Sequence, residues 1–215
     1  MSTTPSPDEL AEAVAAAGVS DERVLDAVRR TPRAAFVPAG HRAAAYTDEP
    51  LPIGHAQVTT QPSLSARMIQ GLALTGAEHV LEIGTGHGFQ TALLARLAAD
   101  VVSVERWPDL AERAQRNLSR AGIRNVTLLT GDGSGGVPEH APYDAIIVSA
   151  AYPEVPPPLA DQLRAGGRLV QPIGWGGHEE VVLFQHTPGG LRSRDVLALA
   201  RFVRLHGDYG FPLPK

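Results

Sequence analysis

An α/β fold with a doubly wound, mostly parallel sheet is the class this sequence predicts, and three observations predict it. Between His79 and Val170 short β-rich runs alternate with helical stretches, and strand–helix–strand alternation builds a parallel sheet covered on both faces. The first of those runs ends in Gly84, Gly86 and Gly88 and leads into a helix, which is where such sheets receive a ligand. At 215 residues, 43% hydrophobic and 20% charged, the chain is also long enough for one well-buried core.

Ser6 followed by Pro7, Asp8 and Glu9 is a helix start, and the alanine-rich helix it opens extends to about Ala17, with Gly18 as its stop. Ser20 with Asp21 and Glu22 begins a second helix, in which Val24, Leu25 and Val28 share one face until Pro32 ends it. Arg33 to Pro52 holds Pro38, Gly40, Pro50 and Pro52 among short apolar pieces and reads as an irregular connector. Thr60-Gln61-Pro62 starts a third helix, with Leu64, Met68, Leu72 and then Leu74 at helical spacing.

The strands follow as Val80–Ile83, Val101–Val104, Val126–Leu129, Ala145–Val148 and Arg168–Val170. Helices are expected over Gln90–Ala98 and Pro108–Ala121, with a weaker one over Pro158–Arg164. Beyond Ile173, Val181–Gln185 and Arg201–Leu205, with glycine-rich loops at Gly174–Gly177 and Gly189-Gly190, read as a closing antiparallel hairpin. One domain over 1–215 is expected: a helical and connector region at 1–75, a ligand-binding core at 76–185 and a substrate-side segment at 186–215.

The inventory excludes several chemistries. There is no cysteine, and the single lysine is Lys215, which removes thiol nucleophiles, disulfides, lysine Schiff bases in the fold and a phosphate loop ending in Gly-Lys. The formal charge is −4 with no basic tract, so no nucleic-acid partner is expected. The first twenty residues lack a positive n-region, and Glu9 and Glu12 interrupt their apolar stretch; neither a signal peptide nor a membrane span is expected, and the chain reads as a cytoplasmic monomer. The eight histidines show no ligand spacing, so no metal is expected.

Three strand ends carry the chemistry. Glu82-Ile83-Gly84-Thr85-Gly86-His87-Gly88 lets the backbone pass close to a nucleotide-like ligand, but Phe89 stands where a dinucleotide fingerprint wants a third spaced glycine. Glu105 ends the second strand, where a carboxylate can accept from both ribose hydroxyls; it can equally be a solvated strand-end acid. Gly131-Asp132-Gly133 ends the third, and Asp132 can accept from an adenine amino group or simply make a turn. Together they describe an adenosine site better than any does alone. His87 either touches the ligand or is a solvated loop residue.

The segments Ala45-Tyr46-Thr47-Asp48-Glu49-Pro50-Leu51-Pro52-Ile53-Gly54, Gln57 to Pro62, Leu81 to Gly86, Ser103-Val104-Glu105-Arg106, Gly131-Asp132-Gly133 and Ala141 to Val148 resemble the protein-L-isoaspartate O-methyltransferase family in order and spacing. The glycine loop is shared with other S-adenosylmethionine methyltransferases of the Rossmann-like class. The Tyr-x-Asp-x-Pro-Leu-Pro-Ile-Gly stretch discriminates. The resemblance spans roughly residues 20 to 210.

It implies a repair enzyme that methylates the α-carboxylate of L-isoaspartyl residues in damaged proteins and peptides, taking the methyl from S-adenosylmethionine and leaving S-adenosylhomocysteine. By the same resemblance the catalytic serine of the family falls on Thr60. Cofactor contacts fall on Gln57, Val58, Thr59, Ser63, Glu82, Gly84, Thr85, Gly86, Gly88, Gln90, Glu105, Arg106, Asp132 and Gly133, and substrate contacts on Tyr46, Asp48, Ile53, Val203 and Leu205. Thr60 also stands where a helix N-cap belongs, and Tyr46 and Asp48 can equally serve only to fix the connector.

The sequence departs from the family pattern at Thr60 for serine, Ala56 for a frequent glycine, Ser63 for an aromatic or histidine, and Arg204 within Phe202-Val203-Arg204-Leu205. Threonine keeps the hydroxyl but restricts χ1. These departures leave open an acceptor that is an aspartyl residue of a modified peptide or a small acid, and a non-catalytic adaptor keeping the fold is the remaining alternative.

Overall fold

A computed structural model of the chain describes residues 6–213. Helix α1 (Pro7–Ala16) opens at the expected start with a reciprocal cap: Glu9 N donates to Ser6 Oγ at 3.2 Å and Ser6 N to Glu9 Oε2 at 2.8 Å. Helix α2 (Glu22–Arg29) is capped by Asp21 rather than by Ser20; the amides of Ser20 and Asp21 both donate to Gln70 Oε1 at 2.8 Å and so dock this corner on α3 (Pro62–Leu72).

The connector is more ordered than its composition suggests. It holds 3₁₀ turns at Arg33–Ala35 and Ala39–Ala44, then a small antiparallel pair, β1 (Pro52–Gly54) and β2 (Gln57–Val58). His55 and Ala56 join the pair at φ 50° and 54°, a left-handed geometry that costs a non-glycine residue roughly 1–2 kcal/mol. Two contacts offset this: His55 stacks on Trp107 at 4.0 Å and its Nε2 meets Asp109 Oδ1 at 2.8 Å.

Seven strands make the main sheet, in the order β5-β4-β3-β6-β7-β8-β9. Strands β3 (His79–Ile83), β4 (Asp100–Glu105), β5 (Val126–Thr130), β6 (Tyr143–Val148) and β7 (Leu163–Ile173) are parallel; β8 (Glu179–Thr187) and β9 (Gly190–Ala200) add antiparallel. The chain steps outward from β3 to β5, then returns to the other side of β3 with β6. That reversal opens a crevice at the carboxyl ends of β3 and β6.

Alternate residues feed two cores. Val80, Val101, Ile147 and Val170 face the layer that includes α1, α2, α3 and α4 (Phe89–Leu97), whereas Leu81, Val102, Ile146 and Leu169 pack with Tyr143 and with Leu159 of α6 (Pro157–Asp161). Both sets are buried, which is why the strands read as unbroken apolar runs. Helix α5 (Pro108–Arg120) packs on β4 and β5. No helix among the described residues is long and apolar enough to cross a membrane.

Three element boundaries differ from expectation. The helix predicted to Arg164 stops at Asp161, because β7 starts at Leu163 to pair with Tyr143. Helix α3 ends at Leu72, with Ala73 left-handed at φ 47°, so Leu74 is buried from the following turn rather than from the helix. The hairpin partner of β8 is Gly190–Ala200, not Arg201–Leu205: Thr187 pairs with Gly190 across Pro188-Gly189. Arg201–Leu205 instead crosses back over the sheet end, where Ala151 N donates to Val203 O at 2.7 Å and Leu205 N to Ala151 O at 2.8 Å.

Candidate active site

At the carboxyl end of β3 the glycine loop turns at Gly84, Gly86 and Gly88, with φ of 98°, 56° and 90°, conformations that glycine alone adopts without penalty. It forms part of the wall of a cleft of about 980 Å³, counting its open mouth. Gln57, Val58, Thr59, Thr60, Gly84, Thr85, Gly86, Gln90, Glu105, Arg106 and Gly133 line this cleft, as do Ile53, Val203 and Leu205. A Cβ at Gly133 would fall 2.7 Å from Ile83 Cγ2, so only glycine permits that close approach.

Six of the expected residues lie elsewhere. Gly88 precedes α4 and packs on Ala114 and Leu118. Asp132, expected at an adenine, accepts instead from Ser134 N at 2.8 Å and from Asp208 N at 2.7 Å; partial burial pushes its carboxyl up, but those amides and Arg106 outweigh it and hold it below the usual range. Asp48 caps α3 from a distance, its Oδ1 accepting from Ser63 N at 2.8 Å and its Oδ2 from Gln61 Nε2 at 2.9 Å. This leaves Ser63 buried at the helix start, outside the cleft. Tyr46 is half-buried among core residues. Glu82 lies wholly under the loop.

Glu82 is 0% exposed. Its Oε2 accepts from Thr91 Oγ1 at 2.5 Å and Ser103 Oγ at 2.6 Å, and its Oε1 from Gln90 Nε2 at 3.1 Å. It thus ties β3, β4 and α4 together and holds Gln90 at the cleft rather than touching a ligand. Desolvation pushes its carboxyl up to about 7 against those hydrogen bonds. A folded carboxyl that holds its proton more tightly than the unfolded one makes stability fall as pH rises from about 4.5 to about 7, by up to roughly 3 kcal/mol. Replacing Glu82 by glutamine removes that slope: in urea melts at pH 5 and pH 8, the variant gains up to about 3 kcal/mol on the wild type between the two. A difference that does not move with pH would exclude the raised carboxyl.

Glu105 does face the cleft, 5% exposed, with Oε2 accepting from Gly86 N at 2.7 Å and Oε1 from Trp107 N at 2.9 Å. Burial raises its pKa, and the amides of Trp107 and Gly86 partly oppose this. Each oxygen keeps a lone pair for a further donor. Trp107, Leu110 and Val104 add flat apolar wall beside it, and the Arg106 guanidinium lies 5.1 Å from the Trp107 ring. A vicinal diol on a flat heterocycle suits this pair of acceptors and this wall.

Adjacent threonines divide the work at the other side of the site's sequence. Thr59 Oγ1 accepts from Arg33 Nη2 at 2.9 Å and from Leu51 N at 3.0 Å, which locks it into the connector. Thr60 lines the cleft and its hydroxyl makes no hydrogen bond among the described residues. It is not the α3 cap: Gln61 holds that position, with no side-chain cap bond of its own.

Sequence reasoning missed Ser149, Trp107, His206 and the buried state of His87, all of which line the cleft, and singled out Arg204, which also lines it, only as a departure from the family pattern. Ser149 was accessible to the strand-end argument, since it follows β6 and accepts from Gln90 Nε2 at 2.8 Å. His206 had no local signal, because its place depends on the returning C-terminal segment.

A family model for protein-L-isoaspartate(D-aspartate) O-methyltransferase matches residues 6–209. A protein-L-isoaspartate O-methyltransferase 1 from Anaeromyxobacter sp. is 53% identical over 205 residues, covering 94% of this chain and 96% of that protein. A solved protein-L-isoaspartate O-methyltransferase superposes with a TM-score of 0.81 at 32% identity, over 95% of this chain and 67% of the other. A Plasmodium falciparum structure in complex with S-adenosyl-L-homocysteine shares the fold, with a TM-score of 0.79 at 20% identity over 94% of this chain and 98% of its own.

Proposed function

The chain belongs to the protein-L-isoaspartate(D-aspartate) O-methyltransferase family, and from that premise we propose that it is an S-adenosylmethionine-dependent carboxyl O-methyltransferase acting on the α-carboxylate of L-isoaspartyl residues in damaged proteins and peptides. One observation carries the reading: a cleft built around the glycine loop and Glu105 also holds Thr60, whose hydroxyl has no partner among the described residues, and the Val203–Leu205 segment.

Glu105 would hold the ribose hydroxyls, the glycine loop would pass close beside the amino-acid end, and Trp107 with Leu110 would cover the adenine. Bound there, S-adenosylmethionine supplies an electrophilic methyl group on a sulfonium. The acceptor carboxylate is already ionised at neutral pH, so no side chain need act as base. What the protein contributes is alignment, which can supply about 7–11 kcal/mol. Thr60 donates its hydroxyl to one carboxylate oxygen and leaves the other to attack. The ester formed is a better electrophile than the carboxylate and closes to a succinimide, part of which opens to normal aspartate. The whole chain is read as one catalytic unit working as a monomer in the cytoplasm, with no nucleic acid or membrane as partner.

Methyl incorporation into an isoaspartyl peptide and its normal aspartyl twin tests this. Incorporation into the isoaspartyl peptide alone is expected. Equal incorporation moves the substrate to aspartyl residues or other acids, and a chain that shows no S-adenosylmethionine binding by calorimetry is an adaptor.

A further inference from the structure

The structure gives the Arg204 side chain a built seat. Nε donates to Trp175 O at 3.1 Å, and the guanidinium carbon lies 5.0 Å from the centre of the Phe211 ring. Phe211 is itself buttressed, with Tyr152 edge-on at 5.1 Å and Trp175 tilted at 6.1 Å. The loop is shaped to the arginine stem: Gly176 has φ +93°, and a Cβ there would come 2.8 Å from Arg204 Nε and 3.2 Å from its Cγ. Any other residue at 176 would displace it.

These contacts engage one edge of the guanidinium and one of its faces, and leave the two terminal nitrogens unengaged. Among the described residues Arg204 is in no ion pair. Neither carboxylate on the neighbouring segments pairs with it: Glu179 is 0% exposed, its Oε2 accepting from Phe202 N at 2.8 Å, and Asp132 accepts from the amides of Ser134 and Asp208. Arg204 nevertheless lines the cleft beside His206, whose Nδ1 donates to Pro212 O at 2.6 Å and turns the other ring nitrogen free. A preset, unpaired guanidinium fork is suited to a carboxylate.

We infer that Arg204 forms a second anion subsite at the cleft mouth, taking a carboxylate of the acceptor chain other than the one that is methylated: an acidic side chain beside the isoaspartyl residue, or a nearby C-terminal carboxylate. The inference rests on the proposed activity for its substrate, and its binding readout stands apart from that activity.

The test uses one isoaspartyl peptide with Glu, Gln or Lys at the adjacent position on either side, each with a free or an amidated C-terminus. KM is measured by methyl transfer, and Kd by fluorescence anisotropy in the presence of S-adenosylhomocysteine. For the wild type, Glu is expected to bind about five- to tenfold more tightly than Lys, with Gln between, and the spread to shrink at 0.5 M salt. In Arg204→Gln the three peptides converge, and Arg204→Lys keeps part of the spread. Comparing the free and amidated series identifies which carboxylate is read. A wild type without a spread, or an Arg204→Gln variant that keeps it, overturns the subsite. A spread in Kd without any methyl transfer would instead overturn the activity and leave the subsite standing.

Discussion

With Thr60 replaced by valine, kcat/KM for an isoaspartyl peptide falls by roughly ten- to a hundredfold, while S-adenosylmethionine affinity stays within about twofold. The size follows from the single interaction removed: a hydroxyl donating to a carboxylate is worth about 1.5–3 kcal/mol, and each 1.4 kcal/mol is a factor of ten. Valine matches threonine in shape, so packing against the cleft wall is kept. The carboxylate loses charge as the new bond forms, so the hydroxyl acts chiefly by holding the acceptor in line, and the loss divides between KM and kcat. Thr60→Ser should retain activity. The outcome depends on the hydroxyl being free for substrate, as it is among the described residues. A Thr60→Val enzyme within about threefold of the wild type would remove the residue from the site.

Arg33→Met should be the most destabilising single change in the connector. Arg33 is 0% exposed, and its two terminal nitrogens carry its hydrogen bonds, while Nε has no partner among the described residues and the guanidinium carbon lies 5.8 Å from the centre of the Phe89 ring. Nη1 donates to Ala45 O at 3.1 Å and Thr47 O at 2.9 Å, and Nη2 to Glu49 O at 2.8 Å and Thr59 Oγ1 at 2.9 Å. Burial lowers its pKa to about 10, with Asp48 opposing this, so it remains a cation at neutral pH. Methionine fills much of the volume but leaves three carbonyls and a hydroxyl without their donor, each costing about 1–3 kcal/mol where water cannot reach. A net loss of about 3–5 kcal/mol is expected, which lowers Tm by roughly 10 °C or more in a chain of this size. Because Thr59 is one of the four acceptors, the peptide KM should also rise in the folded variant at low temperature, with cofactor affinity less affected. A Tm within 2 °C of the wild type would show that the connector does not hang on this residue.

Both predictions concern partners that local pattern does not name. The strand–helix alternation, the glycine loop and the acid at the end of β4 were legible, because each is a short-range property: an unbroken apolar run on β3 and β4, positive φ at Gly84 and Gly86, a carboxylate where β4 stops. The predicted second hairpin strand failed on the same ground. Phe202-Val203-Arg204-Leu205 has the composition of a strand, yet β9 is the more polar Gly190–Ala200, chosen by the Pro188-Gly189 turn and by pairing along β8. Asp132 was readable as a turn residue, but its Oδ2 accepts from the amide of Asp208, 76 positions away, and it does not line the cleft. Asp48 was readable as a connector residue, but its capping of α3 spans 15 positions.

By itself, then, the sequence determined the parallel sheet, the place of the ligand loop at its carboxyl edge and the absence of any thiol or lysine nucleophile from the fold. The last has a physical reason in the proposed chemistry, since an ionised acceptor needs none. Only the tertiary structure decided that Thr60 is free while Thr59 is bound, that Glu82 supports the loop from beneath, and that Arg204 reaches the cleft. Periodicity and backbone preference act over a few residues and are written along the chain. The partner of a buried polar group is settled by which distant segment returns beside it, and that is a property of the packed whole.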